Sequence, residues 1–327
     1  MRYRSLGEHP IEVSEVGLGT WQAGGSILLG GAPTGYGAVP RSEAKRGIER
    51  ALDAGVNFFD TADSYGLGRA ERILGEVVGP RRGQVVLATK CGWVPDGIER
   101  WTKDLSREHI HAAARRSATR LRVDTLDLLQ LHAIPDEGAE TDRALDALDE
   151  LKASGLIRLG GVSVGTDYEA GVRLLGSGRV DVVQATFNLL QQGALTELLP
   201  AALEHRVAVI ASIPLAYGFL SGRYTRKTEF PPDDWRSSLT REEVEARVAR
   251  AEEFRFLSTD GGRTLMEAAL LFTLSHPAVA ATIPGFRSPE QVDGLVGSLR
   301  TPALTDIEIA RARELGRSRT AGAPVPG

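Results

Sequence analysis

Apolar residues gather in short runs along this chain, and after the runs the pattern changes to the spacing of an amphipathic helix. The runs are Val13–Thr20, Asn57–Ala62, Val85–Cys91, Leu126–His132, Ile157–Val164, Val182–Asn188, Val207–Pro214 and Val279–Gly285. Short, nearly continuous apolar runs predict strands buried on both faces of a parallel sheet. Between them, Arg41–Ala54 places Ala44, Ile48, Ala51 and Leu52 on one side at a 3.6-residue period, and Arg107–Leu121 and Thr141–Ala153 follow the same pattern. Ser106, three residues before His109 and followed by Glu108, is a helix-start signal; Ser42 with Lys45 is a weaker one. Gly55 and Gly155 stand where a left-handed residue closes a helix.

Eight such alternations predict an α/β fold, a closed (β/α)8 TIM barrel, because closure leaves no sheet edge. An open doubly wound sheet is the alternative. It would favour a G-x-G-x-x-G turn, and neither Gly17-Leu-Gly19 nor Gly66-Leu-Gly68 is followed by the third glycine. Tyr3–Leu6 and Ile11–Val13 flank Gly7-Glu-His-Pro, which predicts a hairpin across the barrel floor. The chain reads as one domain over 1–327, with the barrel core over about 13–300 and a tail over 301–327 that frays at AGAPVPG. Three connections, 22–41, 92–106 and 216–240, are long enough to be functional. The first is rich in glycine and small residues and is expected to be mobile.

Composition narrows the class. Against 39 Lys and Arg stand 43 Asp and Glu, a net charge of −4, which argues against a nucleic-acid partner. Cys91 is the single cysteine, so an intrachain disulfide and a multi-cysteine zinc site are excluded, and no metal is expected. No run reaches membrane-spanning length, and the N-terminal MRYRSLGEHPIEV has no apolar signal segment. The expectation is a cytoplasmic protein with no membrane partner. Nothing in the pattern sets an oligomeric state.

In such a barrel the functional side chains stand at the C-terminal ends of strands. Asp60, Lys90 and His132 end the second, third and fourth runs, and Tyr65 follows in the loop after Asp60. A tyrosine is a poor acid at neutral pH, and a neighbouring ammonium lowers its pKa. A lysine near the barrel axis needs a counter-ion, which Asp60 can supply. His132 can donate a hydrogen bond to a substrate oxygen. The set suits reduction of a carbonyl, but none of these groups carries a hydride, so a reduced nicotinamide is required.

At these residues the chain resembles the aldo-keto reductase superfamily. Phe59-Asp60-Thr61-Ala62-Asp63-Ser64-Tyr65-Gly66, followed by Gly68 and Glu71, is similar to its most diagnostic motif. Lys90 in ATK and His132 in LQLH match the other members of its tetrad, and the likeness covers almost the whole chain. The resemblance implies a (β/α)8 barrel that reduces aldehydes and ketones with NADPH, or runs the reverse oxidation. Carried over by position, Tyr65 is the acid, Lys90 lowers its pKa, Asp60 pairs with Lys90 and His132 orients the carbonyl.

The resemblance also implies a cofactor site for NADP(H), with NAD(H) left open. Gly19, Thr20 and Trp21 resemble the segment at the nicotinamide ribose, and Ser163 and Gln184 the contacts to the carboxamide. Val164 replaces the family's asparagine, and Ser212 stands in place of the tyrosine that stacks on the nicotinamide. Leu215, Gly218, Leu220, Ser221, Gly222 and Arg223 resemble the diphosphate loop. Gly285 and Arg287, in Ile283–Ser288, resemble the loop at the 2′-phosphate, and Gln291 fits the same pattern. Gly294 and Leu295 replace the Glu-Asn that contacts adenine.

Each residue has a plainer explanation alone: Asp60 and Lys90 a structural ion pair, His132 a core histidine, Tyr65 a surface ring, Arg223 and Arg287 solvated charges. Their joint order overturns those explanations. Trp21 and Trp93 are expected to wall a substrate pocket with Tyr65 and His132, and Trp235 to add an apolar face. Asp63 reads as a loop residue, and Cys91 as facing away from the barrel interior. The expected partner is a small carbonyl compound, with a sugar lactol as a sub-alternative. The rivals are a regulatory subunit resembling potassium-channel β subunits, and a barrel that binds without turnover.

Overall fold

The computed structural model describes residues 1–259 and 262–317; the AGAPVPG end lies outside them. All eight apolar runs form wall strands: Leu18–Gly19, Phe58–Asp60, Val86–Cys91, Leu126–Leu131, Ile157–Gly165, Val182–Thr186, Ala208–Ser212 and Val279–Thr282. They pair in chain order and in parallel. Two isolated parallel bridges, Val16 to Thr282 and Gly19 to Gly285, join the first strand to the last and complete the barrel.

The first run is shorter in the wall than its pattern predicts. Val13 and Ser14 belong instead to the second strand of the N-terminal hairpin, Tyr3–Leu6 with His9–Ser14. The chain then turns from floor to wall, held by the Ser14 hydroxyl donating to the Val16 carbonyl. At Gly17 a β-carbon would lie 2.7 Å from a ring carbon of Phe58. A side chain there would push the first strand off the second.

Strand alternation divides the core in two. Inside the barrel, Phe58, Val86, Ala88, Leu128, Leu159, Val182 and Ile210 pack on Leu6, Ile11 and Val13 of the hairpin. The floor is thereby plugged, as the sequence predicts. The opposite strand parity, including Leu87, Leu129, Leu131 and Cys91, packs outward against the helices. Cys91 is fully buried there, and burial pushes its thiol pKa well up.

The helices follow the predicted spans closely. Arg107–Leu121 starts at Ser106, whose side chain accepts from the His109 amide. Arg41–Asp53 starts after Pro40 with no side-chain cap, so Ser42 does not fill that role. Ala139–Ala153 begins two residues before the predicted Thr141. Gly55 and Gly155 take φ of +85° and +74°, the left-handed region that glycine enters without steric cost. Among the described residues no helix is long and apolar enough to cross a membrane.

The long connections are structured. Residues 22–41 carry the end of the short helix Trp21–Gly24 and the strand pair Leu28–Leu29 and Ala32–Pro33. Residues 92–106 carry the pair Trp93–Asp96 and Arg100–Lys103. The Gly30 amide donates to the Ile98 carbonyl at 2.8 Å, joining the two hairpins. The third connection meets the first through a bridge between Tyr36 and Asp234, a Trp235 amide bond to the Gly35 carbonyl, and an Ala38 amide bond to Asp233.

Candidate active site

The strand parity that makes the lower barrel apolar makes its upper rim polar. Above Phe58 stands Asp60; above Val86 and Ala88 stands Lys90; above Leu128 stands Gln130; above Val182 stands Gln184. All four are fully or almost fully buried. Lys90 Nζ donates to Asp60 Oδ1 at 2.5 Å, to the Thr61 carbonyl at 2.9 Å and to the Tyr65 hydroxyl at 3.3 Å. The other Asp60 oxygen accepts from Gln184 Nε2 at 2.9 Å and Gln130 Nε2 at 3.3 Å. The Ser163 hydroxyl lies 3.4 Å from Gln184 Oε1.

The electrostatics differ in one respect from the sequence expectation. Lys90 does lower the Tyr65 pKa, but burial is the larger effect, and the phenol is raised overall. Tyr65 is therefore held as a neutral proton donor at neutral pH. Burial disfavours the Lys90 ammonium, but Asp60 and Tyr65 more than offset it, and its pKa is raised. His132 is pushed down to about 3, first by burial and then by Lys90. It is a neutral imidazole at physiological pH, with Nδ1 3.4 Å from the Ser64 hydroxyl and its ring edge-on to Tyr65.

An open cavity runs from this group across the barrel mouth. Of the predicted residues, Gly19, Trp21, Asp60, Tyr65, Gln184, Ser212, Leu215, Gly218, Ser221, Arg223, Gly285, Arg287 and Gln291 line it. Lys90, His132 and Ser163 are not part of the lining; Lys90 meets it through Tyr65 and Asp60, His132 through its edge-on contact with Tyr65, and Ser163 through Gln184. Thr20 is fully buried, its hydroxyl donating to the Asp60 carbonyl, and Leu220 is buried below the loop. The Trp21 ring stacks near-parallel to Tyr65 with centroids 6.0 Å apart.

Trp93 corrects its expectation. It is 36% exposed, does not line the cavity, and its indole donates to the His132 carbonyl at 3.0 Å. Gly92, at φ +121°, turns the chain outward just before it. Trp235 likewise stands behind the lining, edge-on to Tyr36 and Tyr217.

Sequence reasoning missed Gln22, Tyr36, Tyr217, Arg236 and Met266, which also line the cavity, and Gln130 beneath it. Gln130 was within reach, since it stands two residues before His132 and shares its strand face. The rest sit on loops whose course no periodicity encodes. Arg236 is buried against the rings of Tyr36, Tyr224 and Phe230, paired with Asp234 and bonded to the Tyr217 carbonyl. Arg287 approaches Asp234 at 4.0 Å from the other side. Among the described residues no cluster of His, Cys, Asp and Glu could hold a metal ion.

A barrel with an acid–base group at its C-terminal mouth is an enzyme scaffold that many reaction classes share, and the comparisons with known proteins narrow it. The aldo/keto reductase family model matches residues 15–317, so the chain belongs to that family. It is similar to the uncharacterized oxidoreductase YqkF of Bacillus subtilis, at 33% identity over 94% of each chain. It is also similar to an NADH-specific methylglyoxal reductase of Escherichia coli, at 30% identity over 97% of this chain and 99% of that one. Among solved structures, the glycerol dehydrogenase AKR11B4 from Gluconobacter oxydans superposes with a TM-score of 0.82, at 29% identity over 99% and 98% of the two chains.

Proposed function

We propose that this oxidoreductase transfers hydride between NADP(H) and the carbonyl of a small neutral aldehyde or ketone, or runs the reverse oxidation of an alcohol or sugar. The observation that carries this reading is the Tyr65 hydroxyl at 3.3 Å from Lys90 Nζ, beside a cavity with aromatic rings near Tyr65 and three guanidinium groups, Arg223, Arg236 and Arg287, elsewhere in its lining.

That lining fits a nicotinamide dinucleotide. Flat walls at Trp21 and Tyr217 suit a heterocycle; Arg223 and Arg287 suit phosphate groups. Ser163 and Gln184 would hold the carboxamide. Ser212 would lie on the nicotinamide side, and the segment Leu215, Gly218, Leu220, Ser221 and Arg223 would hold the diphosphate. Arg287, with its loop held by the Arg287 amide donating to Gln291, would hold the 2′-phosphate. When bound, the reduced nicotinamide supplies the hydride that no side chain carries.

The protein's own groups do the proton chemistry. Tyr65 donates its proton to the oxygen of the carbonyl as charge develops there. Lys90 stabilises the resulting phenolate, and Asp60 keeps Lys90 charged and aimed at the phenol. Neutral His132 offers a ring N–H to the same oxygen without introducing a charge. The side chains that meet Tyr65 are Lys90, already paired with Asp60, and the rings of Trp21 and neutral His132, which favours neutral substrates over carboxylates.

Tyr65→Phe tests the assignment. Turnover on a panel of carbonyl compounds should fall at least about a hundredfold, the scale of a lost general acid, with NADPH binding intact by fluorescence titration. Near-wild-type turnover would refute Tyr65 as the acid. Tight binding of NADPH by the wild type with no turnover on any carbonyl would favour the regulatory reading instead.

A further inference from the structure

Gln130 takes no part in the roles above. It is fully buried and does not line the cavity. Strand register sets it between Lys90 and Gly161, on the inward face above Leu128. Its Nε2 donates to Asp60 Oδ2 at 3.3 Å. A carboxylate only accepts, so this contact fixes the amide with its nitrogen toward Asp60 and its oxygen away. Oε1 is buried and has no hydrogen-bond donor among the described residues. A β-carbon at Gly161 would lie 3.2 Å from Gln130 Cγ and 2.7 Å from the Val182 carbonyl. The neighbouring strand thus leaves room for the Gln130 side chain.

A buried acceptor without a donor is costly. Methionine at this position would continue the apolar face of Leu128 and remove that acceptor. What methionine cannot supply is the donor to Asp60. Asp60 and Lys90 form an ion pair whose side chains are 2% and 1% exposed. A pair so deeply buried needs good geometry and partners for its remaining lone pairs. Lys90 engages Oδ1, and the amides of Gln184 and Gln130 converge on Oδ2. Gln184 also lines the cavity, and its Oε1 lies 3.4 Å from the Ser163 hydroxyl. Its amide therefore serves two sides. Gln130 is the donor on Asp60 that has no face on the cavity.

We infer that Gln130 is a positioning residue: it pins Asp60 Oδ2 so that Oδ1 stays on Lys90 and Lys90 stays on the Tyr65 hydroxyl. It touches neither substrate nor cofactor and acts through those side chains. The inference rests on the proposed function in taking Tyr65 as the proton donor. A carboxylic acid in place of the amide would reproduce the contact in its protonated form alone, since the ionised form repels Asp60. Burial and Asp60 favour the protonated form. Of the two register neighbours, Lys90 opposes them and Gly161 brings no side chain.

The test compares wild type, Gln130→Met and Gln130→Glu, with Tyr65→Phe as control, in steady-state turnover from about pH 5 to about pH 9, NADPH fluorescence titration and thermal melts. In Gln130→Met, kcat should fall about tenfold or more at every pH, the scale of one hydrogen bond to a charged group. Its NADPH dissociation constant should stay within about twofold of wild type. Its melting temperature should be equal or higher, because the unpaired acceptor is gone. Gln130→Glu should recover to within about threefold of wild type at the acid end and decline to the level of the methionine variant as pH rises. Wild-type kcat in Gln130→Met overturns the inference and leaves Tyr65 as the acid. Equal loss in both variants at every pH also overturns it, as does a loss matched by weaker NADPH binding or by a lowered melting temperature in both; packing, and not the amide, is then responsible. Near-wild-type turnover of Tyr65→Phe, or no turnover by the wild type on any carbonyl compound or alcohol, overturns the inference together with the function on which it rests.

Discussion

Gln184 Nε2 donates to Asp60 Oδ2 at 2.9 Å, the oxygen that Lys90 leaves open. One side chain thus touches both the cavity and the counter-ion of Lys90. Gln184→Leu removes a hydrogen bond to a charged group, worth about 1.5–3 kcal/mol. Turnover should fall about tenfold or more, and affinity for the cofactor should fall with it. Steady-state kinetics and a fluorescence titration on one preparation measure both; a change in neither would detach Gln184 from the site.

On the proposed reading, Arg287 would discriminate between the two nicotinamide cofactors. Its guanidinium is partly exposed and lines the cavity while approaching Asp234 at 4.0 Å. Arg287→Ala should weaken NADPH about ten- to a hundredfold, the loss of a charge-assisted phosphate contact, and leave NADH within about twofold. Equal dissociation constants for NADPH and NADH in the wild type would remove the 2′-phosphate from the proposal.

His132 sets a slope of stability with pH. Its folded pKa is lowered to about 3 from 6.5. Between those values the unfolded chain binds a proton that the folded protein refuses, so stability falls as pH drops below 6.5. Urea midpoints at pH 7 and pH 5 should therefore fall further in the wild type than in His132→Gln. Parallel behaviour of the two proteins would show that the imidazole is not held neutral.

Asp63 acts in the opposite sense. Burial raises its pKa from 3.8 to about 7, with the Glu71 carboxylate adding to the rise and Arg120 and Arg116 opposing it. Its Oδ1 is buried and has no partner among the described residues. Between pH 3.8 and 7 the folded state holds the proton that the unfolded chain has released, so this contribution is lost as pH rises. Asp63→Asn should stabilise the protein more at pH 8 than at pH 5, as read by thermal melts. A uniform shift at both values would rule out the titration.

Much of this was legible in the chain because alternation and burial act locally. Phe58, Phe59 and Asp60 alternate inward, outward, inward, and that parity alone aims Asp60 at Lys90. The hairpin plug was legible because Gly7-Glu-His-Pro interrupts two apolar segments. Trp93 was misplaced because one glycine, Gly92, redirects the chain in a way hydrophobicity does not record. Tyr36, Tyr217 and Arg236 were missed for a related reason: their positions depend on two loops, 195 residues apart at Ala38 and Asp233, meeting over the mouth. The balance at Tyr65 was misjudged because the strength of burial is a property of the assembled barrel.

Among the described residues two bridges close the barrel, Val16 to Thr282 and Gly19 to Gly285, and Gly19 and Gly285 both line the cavity. Any molecule lying there spans the joint between the first and the last wall strand. During synthesis the cavity is incomplete until residue 295, which belongs to its lining, has left the ribosome. If the proposed cofactor binds there, its capture would double as a clasp on that join, and nucleotide supply would set how long a finished molecule resists opening at it.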